Sequence, residues 1–242
     1  MNSYSTQPVS FGQPHRHLPV CDSTNDIARE WASDAVDPAP SGGLVSADFQ
    51  TRGRGQRGHE WQAEAGQSAL LSYVYRLPPN ANPAELGLLV PLAVAEAIAA
   101  SAVSPQIKWP NDILLDGSKV GGILVEVAAG VAVLGIGLNV NQEQFADAAN
   151  FIYPPTSLRL MTGREHAVES VVGAVSVALS LWEERWQGEG ILPIFRAYGK
   201  RLAVGTLVRR GEEQATLVGV GAGGQAIVQL PNGTFAGWAT VS

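Results

Sequence analysis

The stretch Gln50–Trp61, QTRGRGQRGHEW, restricts what this chain can fold into more than any other. Gly53, Gly55 and Gly58 alternate with Arg52, Arg54 and Arg57. Glycine admits positive φ and lets a backbone come close to a ligand, and runs of this kind punctuate regular elements. An apolar, strand-like run, Gly43–Phe49, precedes the stretch and another, Ser68–Tyr75, follows it. The segment is therefore a loop slung between two strands. Its N–H groups can cradle an anion and its arginines can attract one. The spacing is not that of G-x-x-x-x-G-K-[ST], nor of a G-x-G-x-x-G that opens a helix. Taken alone, the run is explained equally well as a solvated connection.

With 242 residues, the chain has room for one large domain, or for one domain and a small satellite. A composition 45% hydrophobic and 16% charged describes a core-forming globular protein. The net charge of −6 argues against wholesale nucleic-acid binding. Four histidines and one cysteine provide neither a metal cluster nor a disulfide framework, so Cys21 reads as a small apolar residue. No charged segment followed by an apolar run opens the chain, so no secretory leader is expected. The apolar stretch Leu86–Val103 is interrupted by Pro91 and Glu96 and falls short of a membrane span. A cytoplasmic protein with no membrane or nucleic-acid partner is expected.

Residues 1–18 are polar and read as a loose arm, too short for a DNA-binding helix-turn-helix. From Asp22, DSTNDIAREWA offers several N-caps to a helix carrying Ile27, Ala28, Trp31 and Ala32. In that reading Ser23, Thr24 and Asn25 serve the helix end and nothing more. Leu86–Ile98 has apolar residues around most of its girth, which predicts a buried helix, with Pro91 kinking or dividing it. The segments Ile107–Leu115, Lys119–Glu126 and Val131–Asn141 are short strands separated by turns at Asp116-Gly117 and Ala129-Gly130. A helix is expected over Glu165–Trp186 and a shorter one over Ile191–Tyr198. Beyond about residue 203, short strands and glycine turns predict a small all-β barrel. The expected class is α+β: a mixed, largely antiparallel central sheet covered by helices, with arm, main and barrel units at 1–18, 19–202 and 203–242.

Only 16 basic residues are present, and Lys108 and Lys119 adjoin strands built for burial. A buried ammonium needs an anionic partner. Gly121 and Gly122 follow Lys119 and would let a ligand lie against the backbone, while Asn111, Asp112 and Asn139 add polar groups around the same sheet. Trp61 and Trp109 offer flat faces for stacking. Each of these is ordinary singly. Together with the glycine loop they suggest a site.

Five segments in this order resemble the biotin protein ligases: DSTN at 22–25, QTRGRG at 50–55 with a GHEW at 58–61, KWPND at 108–112, KVGGILVE at 119–126 and GIGLNVN at 135–141. The stretch Pro155–Leu158 also looks like that family, and the resemblance spans about residues 18–242. It implies a class II synthetase-like sheet with an SH3-like C-terminal barrel. It also implies adenylation of biotin by ATP and Mg²⁺, then transfer to a lysine of a biotin carboxyl carrier domain. By the resemblance, Ser23, Thr24, Asn25, Gln50, Arg54, Gly55, Gln56, Lys119, Gly121 and Gly122 meet biotin. Arg54, Arg57, Trp61, Lys108, Asn111 and Asn139 would meet the nucleotide, with Lys119 and Lys108 catalytic and Asp112 on the metal side. Gln56 and His59 stand where many of that family have arginine. The pattern is that of the monofunctional group without a DNA-binding domain, and it is compatible with a homodimer. A lipoate ligase and a noncatalytic biotin-binding module are the alternatives.

Overall fold

The structure is a computed structural model that describes residues 9–146, 152–221 and 223–239. Seven strands form the main sheet: β1 (His15–Cys21), β2 (Leu44–Gln50), β3 (Ser68–Arg76), β4 (Gln106–Lys108), β5 (Asp112–Leu115), β6 (Ser118–Ala128) and β7 (Val131–Asn139). Their order is β1-β2-β3-β7-β6-β5-β4. Only β1 and β2 run parallel; every other neighbouring pair is antiparallel. The β5–β6 and β6–β7 hairpins turn at Asp116-Gly117 and Ala129-Gly130, and all four residues have positive φ. That backbone twist suits two-residue hairpins.

Helices cover both faces. Helix α1 (Thr24–Ala32) lays Ala28 and Trp31 against Val45, Val74 and Val133. On the other face α2 (Leu86–Ala99), α4 (Val168–Glu189) and α5 (Ile191–Arg201) meet Leu71, Tyr73, Tyr75 and Leu134. Strand β3 is buried at eight of its nine positions because its two faces serve both layers. A second sheet, β8 (Leu207–Arg210), β9 (Glu213–Val220), β10 (Ala226–Gln229) and β11 (Phe235–Trp238), is antiparallel throughout. Val208, Leu217, Val228 and Trp238 fill its buried face.

Three expectations needed correction. Residues 9–18 are not a loose arm: Phe11 packs against Tyr73 and Tyr75 at 5.7 and 5.8 Å, and β1 begins at His15. The arm reading of residues 1–8 lies outside the described residues. Strand β1 shows little apolar alternation because it lies at the sheet edge with most side chains in water, where Pro19 is also tolerated. Pro91 neither divides nor ends α2, since burial of 11 of its 14 residues outweighs one missing hydrogen bond. The helix expected from Glu165 starts at Val168, preceded by a separate short α3 (Leu158–Thr162).

Candidate active site

Between α1, the glycine loop and the sheet face of β5–β7 lies a cavity of about 750 Å³. Its floor holds three charges. Lys108 closes β4 and Asp112 opens β5, and the two are register partners. Their side chains meet at 3.0 Å, while Lys119 Nζ lies 2.6 Å from the other carboxylate oxygen. Burial pushes the Asp112 pKa up, but Lys119 and Lys108 prevail and hold it below the ordinary carboxylate value. Two ammoniums against one carboxylate leave a net positive charge facing the cavity. Tyr153 presents its ring 5.1 Å from Lys108 Nζ. It is held there because residues 154–156 run beside Lys119 through paired 2.8 Å backbone bonds.

The helix-end reading of DSTN fails in an informative way. Ser23 is the N-cap of α1 but makes no capping side-chain bond. Thr24 turns instead to Gln50 Oε1, donating to it from its N–H at 2.7 Å and its hydroxyl at 3.0 Å. The Gln50 amide is thereby oriented with its NH₂ toward the cavity. Asn25 is spent internally: Nδ2 donates to Glu126 Oε2 at 2.8 Å and Oδ1 accepts from Ser72. It forms wall, not a free ligand group.

Asn111 Nδ2 donates to the Ile123 carbonyl at 3.0 Å and fastens the KWPND turn to β6. Asn139 Nδ2 donates to the Thr156 carbonyl at 2.9 Å, while its Oδ1 is buried with no partner. An unpaired buried acceptor is costly. A ligand amino group would satisfy it.

The glycine loop is folded, with Gly55 N donating to the His59 carbonyl at 2.7 Å and Trp61 N to the Gly53 carbonyl at 2.9 Å. Its described arginines point at protein carboxylates. Arg52 pairs with Asp22, and Arg54 lies 2.8 Å from Asp26 and 3.3 Å from Glu126. The Arg57 side chain lies outside the described residues. The Trp61 indole lies flat where Gly122 and Gly137 bare the sheet: a Cβ on Gly137 would collide with it, and one on Gly122 would stand 3.1 Å away. Trp61 Nε1 is buried without a partner.

The structure therefore brings Ser23, Thr24, Asn25, Gln50, Arg54, Gly55, Gln56, Trp61, Lys108, Asn111, Asp112, Lys119, Gly122 and Asn139 to one cavity. It leaves Gly121 out, because the missing Cβ there makes room for Leu138 on the neighbouring strand. Asp112 has both oxygens on lysines, and among the described residues no group of three or more His, Cys, Asp or Glu could hold a metal. Sequence reading missed Tyr153, Glu126 and the strand glycines Gly135 and Gly137. Isolated glycines inside a strand do signal close approach, and that rule would have found the last two.

The site thus sets paired lysines on a mixed sheet beneath a glycine–arginine loop. The profile of the Biotin/lipoate A/B protein ligase family matches residues 18–143, more than half of this chain, which belongs to that family. The biotin–[acetyl-CoA-carboxylase] ligase of Paracoccus denitrificans is 32% identical over 227 residues, covering 88% of this chain and 92% of that one. The bifunctional ligase/repressor BirA of Bacillus subtilis is 33% identical over 222 residues, and the match spans 86% of this chain but only 66% of that protein. The solved Aquifex aeolicus biotin protein ligase in complex with biotin and ATP superposes with a TM-score of 0.82 at 25% identity, covering 95% and 98% of the two chains.

Proposed function

We propose that this chain joins biotin to AMP at the expense of ATP and passes the biotinyl group to a lysine of a biotin carrier domain. The observation that carries it is the Lys119–Asp112–Lys108 cluster on the floor of a cavity roofed by the glycine loop. Biotin's carboxylate and the triphosphate repel each other. Fixed positive charge where they meet stabilises the in-line attack on the α-phosphorus, from which pyrophosphate leaves. Attack by the carrier amine on the acyl carbon then expels AMP.

Lys119 serves this step most directly, and Asp112 holds both ammoniums in place. Gln50 Nε2 suits the ureido carbonyl of biotin, while Asn139 Oδ1 suits the adenine amino group. Trp61 offers its outer face to the base. Mg²⁺ comes bound to the triphosphate, since the Asp112 carboxylate is already occupied. The main sheet with its helices acts as the catalytic unit over about residues 19–202. Among the described residues no helix is long and apolar enough to cross a membrane. We place the enzyme in the cytoplasm, with ATP and the carrier.

Pyrophosphate release should appear with ATP and biotin, and not with ATP and lipoate or octanoate. Release with lipoate or octanoate alone would make this a lipoate-type ligase. Biotin binding without release would make it a noncatalytic module.

A further inference from the structure

Glu126 lies on β6 outside the cavity, and one of its oxygens gathers three donors from two other segments. Asn25 Nδ2 and Arg29 Nη2 of α1 stand 2.8 and 2.9 Å from Oε2, and Arg54 Nη2 of the glycine loop stands 3.3 Å from it. Asp26 Oδ1 receives the same two guanidiniums, each at 2.8 Å. Two carboxylates and two guanidiniums thus close a ring over helix, strand and loop. Among the described residues, the Asp26 side chain reaches only the arginines. Glu126 alone also holds Asn25, which walls the cavity.

We propose that Glu126 is a positioning residue that fastens the glycine loop over the cavity and, through the same oxygen, sets the Asn25 wall. Its strand also carries Lys119 and Gly122, so the fastening point is fixed to the reacting floor. A loop with Gly53, Gly55 and Gly58 gains backbone entropy on opening, about 1–2 kcal/mol for each residue released. Charge-assisted hydrogen bonds oppose that gain. A carboxylate that only glued α1 to β6 would need Arg29 and not Arg54.

The effect on ligand binding rests on the biotin ligase reading; the fastening itself does not. The test is trypsin cleavage of the full-length protein at the loop arginines, followed by mass spectrometry without ligand. Glu126→Gln should raise cleavage after Arg57 about three- to fivefold, the factor equivalent to about 0.7–1 kcal/mol and the upper end for a pair this exposed. Arg54→Gln should raise it at least as much, because it also releases Asp26, and the double variant should not exceed Arg54→Gln alone. Arg29→Gln should leave loop cleavage near the parent rate. With biotin and ATP, Glu126→Gln should raise KM for biotin several-fold while kcat for pyrophosphate release stays near the parent value. Unchanged loop cleavage in Glu126→Gln, additivity with Arg54→Gln, or a kcat loss without a KM change overturns the proposal. A parent protein that releases no pyrophosphate would instead sink the biotin reading, and the cleavage rates would still judge the latch.

Discussion

Lys108 and Lys119 stand on strands with side chains 17% and 33% exposed, against a carboxylate that is 15% exposed. Arg52 and Arg54 stand on a glycine loop, 77% and 41% exposed, against carboxylates that water reaches. The pairing chemistry is the same and the surroundings are opposite. Low dielectric strengthens the floor pairs and shields them from salt, whereas exposed pairs contribute about 0–1 kcal/mol and are screened. Floor charge is thus a fixed part of the site. Loop charge is an exposed fastening within reach of solvent and salt. The described loop arginines pair with protein carboxylates, while the two lysines leave a net positive charge at the cavity floor.

Removing a floor charge should do the most harm. Lys119→Ala should lower pyrophosphate release by about 10²–10³-fold while the protein still melts cooperatively. Near-normal release would erase the contrast between floor and loop.

Next in size is Asp112→Asn, which leaves two ammoniums without a counter-ion. A loss of about 1–3 kcal/mol is expected in urea titrations at neutral pH, discounted because Lys119 is a third exposed. The sign of its pH dependence follows from the lowered Asp112 pKa. That stabilisation is present above the ordinary carboxylate value, near pH 4, and is lost as pH falls through the lowered value. Parent and variant should differ by a constant amount from pH 5 to 8 and converge in more acid solution. A difference that grows toward acid would contradict the ion triad.

Salt should separate the two regions further. Raising NaCl from about 0.05 to 0.5 M should speed loop proteolysis several-fold, and biotin with ATP should slow it. Loop cleavage indifferent to both would remove the fastening role. The smallest effect belongs to Gln56→Arg, which adds a permanent forked cation at the cavity edge. Release of labelled biotinyl-AMP in a chase with unlabelled biotin should slow roughly two- to fivefold, as for an exposed ion pair. Equal release rates would show that position 56 does not govern retention.

Local chemistry was the legible part of this chain. Lys108, Asn111, Asp112 and Lys119, which line one cavity, could be grouped from the sequence because turns and short strands keep them close along the chain. The α+β class followed from hairpin signals and two apolar helical stretches. Long-range partners were not legible: nothing near Glu126 announces Asn25 or Arg54, which are 101 and 72 residues away. Asp112 was read as metal-facing from the resemblance alone; in the structure its two oxygens meet Lys108 and Lys119. Strand β1 escaped because an exposed edge needs no apolar alternation. Gly121 was assigned to the ligand when its bare backbone serves Leu138, since sequence shows that a side chain is missing but not which neighbour needs the space.

Trp109, within the turn between the two floor residues Lys108 and Asp112, donates its indole N–H to the Gly224 carbonyl at 2.9 Å, 115 residues later. Ala203 N likewise closes on the Ile107 carbonyl at 2.9 Å. At a ribosomal pace of about 5–20 residues per second, the turn waits roughly 6–23 s for that partner to be made. Until then Trp109 is a large apolar surface without its cover, on a nascent chain that has already exposed both lysines. A turn of the small second sheet therefore braces, from outside the cavity, the segment that carries two floor residues translated long before it.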